Sequence, residues 1–135
     1  MKIVKLLLLV AILFSVSISN AADYTDKTEF EDNTKPVITV YYFHTNARCV
    51  TCRTIEAEAR KDLQELFDKK VNFVALNLDE DAGKTKAKEL GVNVQTLLIV
   101  KGENKINITN QGFLYARSNP EKFKQVIEDK IKPLL

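Results

Sequence analysis

The first dense apolar run of the chain after its N-terminal stretch is Val37-Ile38-Thr39-Val40-Tyr41-Tyr42-Phe43, β-branched and aromatic throughout, with Pro36 at its head. That composition predicts a strand. A polar corner, His44-Thr45-Asn46-Ala47-Arg48, separates it from Cys52, Ile55, Ala59, Leu63 and Leu66, whose three-to-four residue spacing predicts an amphipathic helix from about Arg48 to Lys69. Glu56/Arg60 and Glu65/Lys69 fall at i,i+4 on its polar side, where they support a solvated face. A second strand is expected over Val71 to Leu78, and a short helix over Ala82 to Leu90, stopped by Gly91, with Asp79-Glu80-Asp81 as capping groups rather than a metal site. Thr96 to Val100 is apolar almost throughout and reads as a central strand. Lys101-Gly102-Glu103-Asn104 then turns the chain into a further strand, Lys105 to Thr109. Asn119 as N-cap, Pro120 at the first helical position and the stripe Phe123, Val126, Ile127 and Ile131 announce a last helix.

The N-terminus changes the picture. Lys2 and Lys5 precede the apolar run Leu6 to Phe14, and Ser19-Asn20-Ala21 places small residues where a signal peptidase reads. Residues 1–21 are therefore expected to be a signal peptide, cleaved after Ala21, because the apolar run falls short of the ~20 residues a membrane span needs; retention as an anchor is the rival reading. Residues 22–35 form a polar leader and 36–135 one compact domain. Export implies a periplasmic location in a bacterium and secretion otherwise. Lys2 and Lys5 also carry the whole formal charge of +2, so the remainder is balanced and gives no reason to expect nucleic acid as a partner.

Cys49 and Cys52 are the only cysteines. They lie where the first strand gives way to the first helix, and a C-x-x-C pair there reads as a dithiol/disulfide redox centre. The helix N-terminus offers partial positive charge and free N–H groups to a thiolate on Cys49, and Arg48 and Arg53 add cationic charge. Cys52 belongs to the apolar face and should be recessed, so Cys49 is read as the nucleophile and Cys52 as the resolving thiol. A loop this short restrains little of the unfolded chain, which argues against a purely structural disulfide. Asn107-Ile108-Thr109 matches a glycosylation sequon but falls on an expected strand and is read as coincidence.

The order strand, C-x-x-C, helix, strand, short helix, hairpin, terminal helix resembles the thioredoxin family. Val74 to Asp79 is similar to the family's second core strand, and Gly91-Val92-Asn93-Val94-Gln95-Thr96-Leu97-Leu98-Ile99-Val100-Lys101-Gly102 to its active-site loop and third core strand. The resemblance spans roughly Pro36 to Lys132. It implies an α/β three-layer sandwich, with a mixed central sheet of about four strands flanked by helices, trimmed at its N-terminus. It also implies an exported thiol–disulfide oxidoreductase with a Cys49–Cys52 disulfide.

The chain departs from the family at four places. Gln95 stands where the family has a cis-proline, so a trans Val94–Gln95 bond and an altered docking edge are expected. Phe43 occupies the position of the buried aspartate six residues before the first cysteine, and Ala75 that of its lysine partner. Arg48 replaces the tryptophan before the dithiol, with Val50-Thr51 between the cysteines. Finally, the leader is short for the extra strand and helix that open a full thioredoxin. His44, the single histidine, points away from Phe43 by strand alternation and is a candidate for a supporting role, as are Arg48, Val94 and Gln95.

The function expected is a monomeric reductase or electron relay acting on protein disulfide substrates, fed by a membrane electron donor and without cofactor or resident metal. Two alternatives remain open: a soft-metal-binding module using the two thiolates, and a thioredoxin-fold adaptor with an inert disulfide.

Overall fold

The computed structural model describes residues 37–135; the expected signal peptide and leader lie outside the described residues. Four strands, β1 (Ile38–His44), β2 (Val71–Asn77), β3 (Thr96–Lys101) and β4 (Asn104–Asn107), form one sheet in the order β2-β1-β3-β4. β2 runs parallel to β1, whereas β3 and β4 run antiparallel to their neighbours, so the sheet is mixed, as expected. Among the described residues the α-helices are α1 (Val50–Phe67), α2 (Asp81–Leu90), α3 (Thr109–Tyr115) and α4 (Pro120–Ile131).

Alternation along β1 sorts the core. Ile38, Val40 and Tyr42 join Ile55, Ala59 and Leu63 of α1, Leu97 and Ile99 of β3, and Phe123 and Ile127 of α4 in one buried cluster. Phe43 and Leu98 point through the sheet to the opposite side, where α2 packs on β2 and buries Ala87. Helices on both faces make the three layers.

Several boundaries differ from expectation for local reasons. α1 begins at Val50, because Cys49 is extended (φ −76°, ψ 166°) and serves as its N-cap. It stops at Phe67, and Asp68–Lys70 tighten into a 3₁₀ turn before β2. Phe67, rather than Leu66, completes the buried face of α1. The turn between β3 and β4 is only Gly102-Glu103, with Gly102 at φ 56° in the left-handed region that a tight hairpin needs. β4 ends at Asn107, and Thr109–Tyr115 forms a helix where the sequence pattern showed none. Asn107 accepts hydrogen bonds from the Thr109 backbone N–H and hydroxyl, and Thr109 Oγ1 accepts from Leu97 N–H at 2.8 Å. The sequon residues thus close the strand and open the helix. Gly112 brings α3 onto α1, since a Cβ there would lie 3.3 Å from the Ile55 side chain.

The acidic trio does not cap α2: Glu80 occupies the N-cap without a side-chain bond. Instead Asp79 Oδ2 accepts from Asn46 N–H at 2.6 Å, and Asn77 Nδ2 donates to Asn46 Oδ1 at 2.7 Å. The end of β2 therefore braces the corner before Cys49. α2 meets this brace through Gly83, where an added Cβ would fall 1.9 Å from Asn77 O. Gly83→Ala must push α2 off β2, and a loss of about 1–3 kcal/mol is expected as a lower urea midpoint. An unchanged midpoint would show that the close approach carries no weight.

Asp62 is the core's one ionisable side chain on α1, 1% exposed, with Oδ2 unpartnered. Burial pushes its carboxyl up to about 6, with Lys61 pulling the other way, Glu58 adding to the rise and Lys124 opposing it. A raised folded-state value means that Asp62 stabilises least when ionised: stability is full below the unfolded value of about 3.9 and is lost as pH rises through about 6. Asp62→Asn should match wild type near pH 4 and exceed it at pH 8 by about 1–2 kcal/mol after screening by solvent and the two lysines. Urea titrations at both pH values check this; equal gains at both would remove ionisation as the cause.

Candidate redox site

β1 ends at His44, the braced corner follows, and α1 begins one residue after Cys49. This places the dithiol at a helix N-terminus above the C-terminal ends of β1 and β2. Cys49 and Cys52 are joined in a disulfide. Their surroundings differ sharply. Cys49 is exposed, and its Sγ accepts a hydrogen bond from Cys52 N–H at 3.1 Å, the place a capping oxygen usually takes. Cys52 is 5% exposed and lies on the sheet-facing side of α1.

The group beneath Cys52 is Tyr42. Phe43, six residues before Cys49, faces α2 through the sheet, and Tyr42 is the residue of β1 on the α1 side. Tyr42 is fully buried, and its hydroxyl donates to Cys52 O at 2.8 Å. Gln95, half-buried just before β3, donates from Nε2 to Tyr42 Oη, and its Oε1 lies 3.5 Å from Cys52 Sγ. No peptide bond is cis among the described residues, so Val94–Gln95 is trans, as expected. Burial pushes the Tyr42 phenol above its ordinary value, with Gln95 and then Arg48 opposing.

Arg48 does not reach toward Cys49. It pairs with Glu56 and lies 5.9 Å over the Tyr42 ring. Glu56 also takes Arg60 at 3.1 Å; burial works to raise its carboxyl, and the two arginines nevertheless hold it below the ordinary carboxylate value. Much of the Arg48 charge is therefore answered within its own pair. Arg53 sits in the first turn and donates to Arg48 O at 3.4 Å. His44 shares the Tyr42 face, its ring 6.0 Å from that of Tyr42, and its Nδ1 lies 3.2 Å from Thr45 O, so it bonds the corner rather than either sulfur.

Exposed apolar side chains surround the disulfide. Val50 and Val94 are 64% and 63% exposed. Phe113 of α3 lines one cleft with Val94 and Gln95 and another with Thr51 and Leu114, so apolar side chains on the α3 side stand among polar ones such as Asn110, Arg117 and Ser118. Among the described residues no three His, Cys, Asp or Glu side chains converge as a metal-binding group. No helix among them is long and apolar enough to cross a membrane.

Of the residues that the sequence singled out, Gln95 meets Cys52, whereas Arg48 is engaged by Glu56 and His44 by the Thr45 carbonyl. Sequence reasoning missed Tyr42, Glu56 and the Asn46/Asn77/Asp79 brace. A tyrosine within an apolar strand was the available signal, because a buried phenol needs a hydrogen-bond partner.

No known family pattern and no curated protein matches the chain. Among solved structures, thioredoxin O2 from Arabidopsis thaliana in its oxidised state is 24% identical over 70% of this chain and 75% of its own, with a TM-score of 0.47. Mitochondrial thioredoxin 3 from Saccharomyces cerevisiae, also oxidised, is 26% identical over 76% of this chain and 88% of its own, with a TM-score of 0.45. Thioredoxin f2 from Chlamydomonas reinhardtii is 20% identical over 73% of this chain and 82% of its own, with a TM-score of 0.47. On its own strand order and helix placement, the described domain has a thioredoxin-like fold whose cysteine pair forms a disulfide where β1 gives way to α1.

Proposed function

We propose that the protein is an exported thiol–disulfide oxidoreductase working as a reductase or electron relay on protein disulfides. One observation carries this reading: the exposed Cys49 sulfur occupies the N-cap of α1 and accepts the Cys52 N–H, beside a partner sulfur that is buried. A thiolate at that N-cap gains from the same hydrogen bond and from the helix dipole, which lowers its pKa. In the reduced protein Cys49–S⁻ attacks a substrate disulfide, forms a mixed disulfide and expels one substrate thiolate. Cys52 then displaces the second, so that two electrons pass to the substrate as the Cys49–Cys52 bond forms.

The apolar surface of Val50, Val94, Phe113 and Leu114 suits an extended polypeptide segment carrying the target disulfide. Export rests on residues 1–21, and an exported reductant needs resupply, for which a membrane electron donor is the fitting source. A monomer suffices, since both sulfurs come from one chain.

Asymmetry of the thiols tests the reading. After reduction, a small alkylating agent should modify Cys49 well before Cys52. Cys49→Ser should abolish insulin-disulfide reduction, while Cys52→Ser should trap mixed disulfides. Equal labelling rates would overturn the assigned roles, and a metal retained by the reduced protein in native mass spectrometry would favour the metal-binding alternative.

The Cys49 thiol should titrate below the free value of about 8.5, by thiolate absorbance against pH in Cys52→Ser. Because Glu56 answers Arg48, Arg48→Ala should move that midpoint only slightly. A midpoint at or above the free value in Cys52→Ser with Arg48 intact would make an inert disulfide the better reading.

A further inference from the structure

We propose that Gln95 is a positioning residue that keeps the resolving thiol of Cys52 protonated, with its amide oriented by Tyr42. This rests on the redox reading above and specifies which step of it is slowest to ionise. The argument begins at the Tyr42 hydroxyl. Its oxygen lies 2.8 Å from Cys52 O, a carbonyl that can only accept, so the phenol proton must point there. The lone pairs of Oη are then what Gln95 meets, and only the amide NH₂ can meet them favourably. Turning Nε2 to Tyr42 forces Oε1 toward Cys52 Sγ, at 3.5 Å. A residue 53 positions from Tyr42 in sequence is thereby locked with its acceptor facing the buried sulfur.

In the disulfide that sulfur carries no proton, so the contact is a neutral S···O approach. On reduction the Cys52 S–H gains an acceptor, and a Cys52 thiolate would face a carbonyl oxygen with like partial charge. Hydrogen bonding to the neutral form raises a thiol's pKa, as does the burial of Cys52. The two sulfurs are thus polarised in opposite senses: Cys49 faces a donor and Cys52 an acceptor. The other charged or titratable groups around this point do not reverse that. Arg48 is paired with Glu56, His44 bonds the Thr45 carbonyl, the Tyr42 phenol stays protonated, and Arg117, beyond α3, lines the outer cleft with Thr51.

The resolving step balances as follows. Cys52–SH loses its proton to solvent, because the neutral amide accepts a hydrogen bond without taking the proton. The sulfur attacks Cys49–S–S–R, the Cys49–Cys52 bond forms, the bond between Cys49 and the substrate sulfur breaks, and R–S⁻ leaves with the electron pair. With ionisation of Cys52 held back, the mixed disulfide outlives the first attack at neutral pH.

One equivalent of dithiobis(nitrobenzoate) added to the reduced full chain reads both steps, since each releases one coloured thiolate. In wild type the first phase should have its pH midpoint below the free thiol's value of about 8.5 and the second a midpoint above it. Gln95→Ala, which removes the acceptor and admits water, should lower the second midpoint by about one pH unit and leave the first in place. The lower basicity of the sulfur offsets part of the gain in thiolate, so the second phase at pH 7 should quicken about threefold. Tyr42→Phe touches neither sulfur, yet it frees the amide to turn its NH₂ to Cys52 and should lower the second midpoint in the same sense. An unchanged second midpoint in both variants overturns this proposal while the redox reading stands. A wild type that releases only one thiolate overturns both.

Discussion

The hydrogen bond from the buried Tyr42 hydroxyl to Cys52 O ties the first turn of α1 to the end of the central strand, and the site is organised around it. A phenol taken out of water must find a partner, and the carbonyl of the second cysteine supplies it. The bond fixes the height and rotation of the helix end over the sheet. It also fixes the proton of the phenol, and through that the orientation of Gln95 on the far side of the same oxygen.

The opposite polarisation of two sulfurs only three residues apart follows from helix geometry. The first turn has backbone N–H groups without intrahelical acceptors, so a side chain at the N-cap finds a donor. One turn later the same helix presents its next cysteine to the sheet, where its surroundings are set by neighbouring strands. Arg48, the cation beside the dithiol in sequence, is drawn away from it by Glu56 and the Tyr42 ring, so local donors matter more to Cys49 than nearby formal charge.

Rigidity at the site comes from outside it. Leu78 N–H donates to His44 O at 2.7 Å, extending the parallel pairing of β1 and β2 by a further bond, and Asn77 and Asp79 then grip Asn46. Gly83 allows α2 to close over this brace. Asp62 pulls the other way, since a buried carboxyl without a partner at Oδ2 costs stability once it ionises. The destabilising charge lies well along α1 from the dithiol, and the braced corner lies beside the dithiol, so the cost of ionising Asp62 falls away from the chemistry.

The amino-acid sequence by itself determined the order of the four strands and of α1, α2 and α4, the place of the dithiol at a strand-to-helix junction, Gly91 as the stop of α2 and Asn119-Pro120 as the start of α4. Each is written in short-range signals: hydrophobic period, capping residues and turn residues act over a few positions. Only the tertiary structure decided that Tyr42 rather than Phe43 lies under Cys52, because a one-residue difference across the corner exchanges the two faces of a strand. It alone decided the orientation of Gln95, which depends on a phenol 53 residues away, and the burial of Asp62, which depends on what packs over the flank of α1. Helix α3 and the role of Asn107 belong with these, since the helix is held by Leu97 and Ile55 from other elements. Local patterns specify which segments become elements; which atoms of those elements meet is fixed by packing between residues that the chain keeps far apart.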